Sequence, residues 1–152
     1  MSYEERNTVA HLISTVVVVS GFFYYMLQMA PLDAADPAGA LAHLGLAFLV
    51  MAGAGIVVTI LGTIFVNIGA GIAEGIRTGR EPEFATDERD RQIELRAMRV
   101  ASLLLGVGMV GSMALLAFGQ PAFTVFLAII LAGAVADVAA GIFKLALYRR
   151  GF

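Results

Sequence analysis

Four unbroken apolar stretches, near residues 8–29, 41–66, 100–118 and 122–147, constrain this chain more than any other feature. Each reaches the ~20 residues that a helix needs to cross a ~30 Å hydrocarbon layer. Lipid offers no hydrogen-bond partner to a backbone amide or carbonyl, so such stretches must be helical. A transmembrane barrel would show ~10-residue segments of alternating polarity instead, and the chain has none. Hydrophobic residues make up 59% of the 152 and charged residues 14%, against ~45–50% and ~25% in a soluble domain. The expected fold is all-α: one domain over residues 1–152, an integral membrane four-helix bundle. The first apolar stretch is too long for the core of a cleaved signal and follows Glu4 and Glu5, so it reads as a span.

The basic residues set an orientation. Arg6 precedes the first stretch; Arg77, Arg80, Arg89, Arg91, Arg96 and Arg99 lie between the second and third; Lys144, Arg149 and Arg150 close the fourth helix. These ten are all the Lys and Arg residues of the chain. The other side receives residues 30–40, with Asp33 and Asp36, and the turn 119–121, neither of which holds a basic residue. Basic residues collect on the cytoplasmic side, which places both termini and the hairpin of residues 67–99 there. Phe22, Phe23, Tyr24 and Tyr25 then form an outer aromatic belt, and Tyr148 marks the inner interface. Helices two and three are expected to continue into the cytoplasm, with a break near residues 79–85. Thr86 or Asp87 is expected to cap helix three.

Within the spans few residues carry chemistry. Asp137 is the one acid inside a span, among the small residues Gly133, Ala134, Ala136, Ala140 and Gly141, which let another helix approach closely. A carboxylate at that depth must face protein or water. Asn67, Arg99 and His11 are its candidate partners, and together the four residues make an intramembrane polar cluster. The cluster reads either as a proton- or cation-binding carboxylate or as a clasp between helices. Residues 67–72 (NIGAGI) align with 137–142 (DVAAGI), as a duplicated hairpin would, although any two membrane helices match this well by chance. His11 and His43 fall at opposite ends of their spans, which excludes one haem iron between them. Cysteine is absent, so thiolate metal sites and disulfides are excluded. No cofactor and no metal site is expected. Ser14, Ser20, Ser102 and Ser112 have no His–acid arrangement nearby in the sequence, so no enzyme activity is expected.

The segment DERDRQIELRAMRVA, residues 87–101, is the most distinctive. At ~100° per residue, Asp87, Asp90 and Glu94 share one face, and Arg89 and Arg96 lie opposite. Helix capping and i,i+3 or i,i+4 pairing account for part of this. A two-faced charged helix also suits docking to a second copy or to another protein, and its arginines suit anionic lipid heads. Asp87, Arg89, Asp90, Glu94 and Arg96 are therefore the candidate interaction residues. The segment resembles a pattern in small uncharacterised bacterial four-helix membrane proteins, in which D-E-R-x-x-x-I-x-x-[RK]-A leads from the cytoplasm into a span. Asp87, Glu88, Arg89, Ile93, Arg96 and Ala97 are the matching residues. The resemblance implies a bacterial inner-membrane location and brings no activity with it.

Two functions fit. The first is a scaffold, regulatory or accessory subunit acting through the charged hairpin. The second is a small oligomeric proton- or cation-coupled transporter or channel using Asp137. Expected partners are the lipid bilayer and either further copies of the chain or a larger membrane complex. A net charge of −2 gives no reason to expect nucleic acid.

Overall fold

A computed structural model describes residues 3–33, 36–78 and 88–150. They form four α-helices: α1 (Tyr3–Asp33), α2 (Pro37–Thr78), α3 (Glu88–Ala117) and α4 (Ala122–Arg149). Each is long and apolar enough to cross a membrane. The expected break at 79–85 and the caps Thr86 and Asp87 lie outside the described residues. Helix α2 has 42 residues, about 63 Å at ~1.5 Å per residue, roughly twice a hydrocarbon core.

Local chemistry sets the helix ends. Asp36 starts α2: its Oδ1 accepts from the Gly39 amide at 3.1 Å and its carbonyl from the Ala40 amide at 2.9 Å. Pro37 follows at the first helical position, where its missing N–H costs nothing. Helix α3 ends where Gly119 takes a φ of +76°. Its amide reaches the Leu116 carbonyl at 3.0 Å and the Gln120 amide reaches Leu115 at 3.1 Å. That pattern uses up the last carbonyls of a helix and needs a residue free of the Cβ penalty. Pro121 then leads straight into α4.

The helices pack as two hairpins, α1 with α2 and α3 with α4. A lighter seam between α1 and α4 joins them, and α2 touches α4 more lightly still. The order across the molecule is thus α2, α1, α4, α3. Small residues bring the helices close. A Cβ on Gly108 of α3 would collide with Cβ of Ala132, and one on Gly141 of α4 would sit 2.5 Å from Cδ2 of Leu12 on α1.

The ends of the molecule differ. At the end with the α1–α2 connection, Phe22, Met26, Leu44 and Phe123 form the buried apolar core, flanked by Phe23, Leu41 and Leu127. Phe22, expected in an exposed aromatic belt, is only 6% exposed because α2 and α4 both close over it. Tyr24 and Tyr25 of the same group do face outward. The opposite end, with Arg6, Lys144, Arg149 and Arg150, is the basic end. Only 6% of the apolar windows of α2 and α3 is buried within the chain. Water would make such surfaces very costly, whereas lipid tails cover them without penalty.

Candidate functional site

The polar side chains of the spans gather at the basic end, along the α1–α4 seam. Helix α1 contributes Asn7, His11 and Thr15, spaced by four residues and hence on one face. Helix α4 contributes Asp137, Gly141, Lys144 and Tyr148 with the same logic. Where the two faces meet, His11 Nε2 lies 3.0 and 3.1 Å from the two carboxylate oxygens of Asp137. Thr15 donates its hydroxyl to Oδ2 of the same carboxylate at 2.9 Å. One acid on α4 is therefore held by two residues of α1. Both members of the His11–Asp137 pair stay nearly half exposed, at 44% and 45% of their side-chain surface.

Two turns further along α4, Lys144 is mostly buried and reaches two acids from two other helices. Its Nζ contacts Glu94 of α3 directly and lies 3.8 Å from Glu4 of α1. One turn beyond, Tyr148 places its buried hydroxyl beside Asp90 of α3. Asn67 of α2 donates to Asn7 Oδ1 at 2.8 Å, which ties α2 to α1. Each of these contacts joins two helices: α4 to α3 twice, α4 to α1 once, and α2 to α1 once. Ser14, Ser102 and Ser112 do otherwise: each donates to the carbonyl four residues earlier in its own helix, at 2.8–2.9 Å.

A cavity of about 380 Å³ opens among the four helices at this end. Asn7, Thr8, His11, Thr63, Glu94, Asp137 and Lys144 supply its polar lining, and Ala97, Ala101, Ala140 and Gly141 make the room. The lining holds two acids, one lysine and one histidine, so with a neutral imidazole its formal charge is −1. These groups can hold or exchange protons. Among the described residues, no three His, Asp or Glu side chains come together as metal ligands.

Of the four residues expected in one polar cluster, His11 and Asp137 meet. Asn67 instead pairs with Asn7, and Arg99 is exposed and stands apart. The charged segment is also divided. Ile93 and Ala97 are the buried residues at the start of α3. Asp90 and Glu94, on that same side, reach toward α4, Glu94 with half of its side chain still exposed. Arg89, Arg91, Arg96 and Arg99 are exposed. Asp87 lies outside the described residues.

Thr15, Lys144, Glu94 and Asn7 complete the site without having been singled out for it. Thr15 and Lys144 were open to detection, since they sit one turn from His11 and two turns from Asp137. Glu94 was not, because only packing shows which side of α3 faces α4. His43 lies far from this site and pairs with Tyr25, Nε2 to hydroxyl 2.5 Å. Tyr25 is fourteen residues from His11 on α1, about 21 Å at ~1.5 Å per residue, so one iron cannot take both histidines.

No family model, curated protein or solved structure matches the chain. The functional reading therefore rests on the residues and their geometry.

Proposed function

We propose that this chain is a non-catalytic, multi-pass subunit of a bacterial inner membrane, a scaffold, regulatory or accessory component of a homo-oligomer or a larger assembly. Its termini and the segment 67–99 lie in the cytoplasm, a reading supported by the basic residues at one end of the spans. One observation carries the functional part: on α3 the acids and two of the arginines occupy different sides. Asp90 and Glu94 reach toward α4, where Glu94 contacts Lys144, while Arg89 and Arg96, about 20° apart at ~100° per residue, are exposed on another side. That side is a basic docking face on a rigid helix, suited to an acidic partner surface. Arg91 stands about 60° from Glu94, beside the acids.

The test is capture of partners from native membranes in mild detergent, with wild type and with Arg89→Gln/Arg91→Gln/Arg96→Gln. A defined partner lost only from the triple variant supports the reading. Identical partners for both chains, or none for either, refutes it.

A second reading, proton- or cation-coupled transport, is favoured by the cavity, which sets Glu94 beside the Asp137–His11 pair. Here the test is flux through vesicles containing the pure protein. Flux that disappears in Asp137→Asn would replace the subunit reading with this one.

A further inference from the structure

We propose that the polar cavity at the basic end and the groove beyond it form one binding site for an amphipathic amine, with the ammonium group at Asp137 and the alkyl chain between α1 and α2. The inference rests on the membrane-spanning reading alone. Binding needs no transport, so it stands or falls apart from the flux test. Two openings meet at His11. One is the polar cavity of about 380 Å³ among the four helices. The other is a groove of about 470 Å³ walled by α1 and α2, with Val18, Val19, Met51, Ala52, Ile56 and Ile60 as its apolar lining. His11 borders both, and Thr15, the second residue that holds Asp137, borders the groove. Both volumes fall within the range of small-molecule sites, ~300–1,000 Å³.

The register of the helices makes the two openings continuous. Along α1, Asn7 and His11 line the cavity, and His11, Thr15 and Val18 follow along the groove. Along α2, Thr63 lines the cavity and Thr59, one turn nearer the bilayer centre, lies at the groove. From Thr59 the groove extends to Met51, about 12 Å at ~1.5 Å per residue, toward the middle of a ~30 Å core. A ligand with its charged end at Asp137 therefore lays its chain along apolar side chains at lipid depth.

Asp137 keeps capacity for such a ligand. A carboxylate offers about four acceptor sites. One imidazole N–H and the Thr15 hydroxyl use two of them, and the side chain remains 45% exposed. Lys144, the one permanent cation of the lining among the described residues, faces Glu94 and Glu4. An inorganic cation matches the site less well, because it must shed water and needs several oxygen ligands. The groove is apolar, and no three His, Asp or Glu side chains converge among the described residues. An alkylammonium ion brings its own apolar part and makes a charge-assisted hydrogen bond to the carboxylate. Its chain gains little over lipid tails; the chain carries the cation to the depth of Asp137, and the carboxylate supplies the selectivity.

The experiment uses the full chain in phosphatidylcholine nanodiscs and measures saturable binding of radiolabelled decylamine, protonated at neutral pH, above its uptake by empty nanodiscs. One site per chain is expected. Asp137→Asn, which keeps an acceptor for His11 and Thr15, should weaken binding about ten-fold or more, through loss of the charge-assisted bond. Ala52→Phe, which fills the groove away from Asp137, should weaken it as well. Decanol, with the same chain and no charge, and tetramethylammonium, with the charge and no chain, should not compete. These ligand comparisons on the wild type keep the test decisive should a variant not fold. No saturable binding to wild type overturns the proposal, as does unchanged binding in Asp137→Asn. Equal competition by decanol, or by tetramethylammonium, overturns it too. Proton or cation flux that depends on Asp137, with no decylamine binding, removes this site and leaves the transport reading standing. Decylamine binding without flux supports the site and removes the transport reading.

Discussion

Replacing Asp137 by alanine removes the acceptor shared by His11 and Thr15, and the cost can be worked out from the contacts. Three oxygen contacts of 2.9–3.1 Å end on this carboxylate. A hydrogen bond to a charged group contributes ~1.5–3 kcal/mol in general. In membranes the measured average is ~0.6 kcal/mol with a maximum near ~1.7, because the unfolded chain in lipid also finds partners. The pair is 44% and 45% exposed, which favours the lower figures. Two partners at ~0.6–1.7 kcal/mol each give an expected loss of about 1–3 kcal/mol for Asp137→Ala. The coupling between His11 and Asp137 alone should be about 0.6–1.7 kcal/mol. Asp137→Ala, His11→Ala and the double variant, unfolded reversibly in mixed micelles by added dodecyl sulfate, yield this coupling directly. The effects of the two single variants should sum to more than that of the double. Additivity within error would refute the idea that this contact holds the seam between the hairpins.

The same method checks the helix crossings. Gly108→Ala should destabilise by about 1–3 kcal/mol before a gain of about 1 kcal/mol in helix propensity, since the opposing Ala132 Cβ cannot rotate away. Gly141→Ala should be close to neutral because Leu12 can change rotamer, and a larger loss there than at Gly108 would contradict this account. Phe22→Ala, in the buried core, should cost about 3–5 kcal/mol, as large aromatic truncations do. Lys144→Met leaves Glu4 and Glu94 facing each other without their cation; its melting temperature should fall further than that of Glu94→Gln, and equal shifts would show that Lys144 does not bridge the two acids.

Helix number and type were legible because they depend on local quantities. Run length against the thickness of a hydrocarbon layer and the need to satisfy every backbone group act residue by residue along one dimension. Asp137 stood out for the same reason, as a charge in an apolar run. The turn at 119–121 was visible in its Gly and Pro. The alternating sides of α3 could be drawn from periodicity, but not which side faces inward. Nor could Asp137 be matched to His11 rather than to Arg99, since all sat at a plausible depth.

Those choices belong to packing. They follow from the order α2, α1, α4, α3, which sets α1 against α4 at the basic end and leaves α2 and α3 on the flanks. A periodic sequence specifies a face, and only a neighbour gives that face a direction. Here Leu12 against Gly141, and Ala132 against Gly108, bring the backbones close enough to select the partners. The amino-acid sequence by itself determined four membrane-length helices and a basic end. The tertiary structure decided that Asp137 meets His11 and Thr15, that Glu94 turns to Lys144, and that Arg96 and Arg99 face outward.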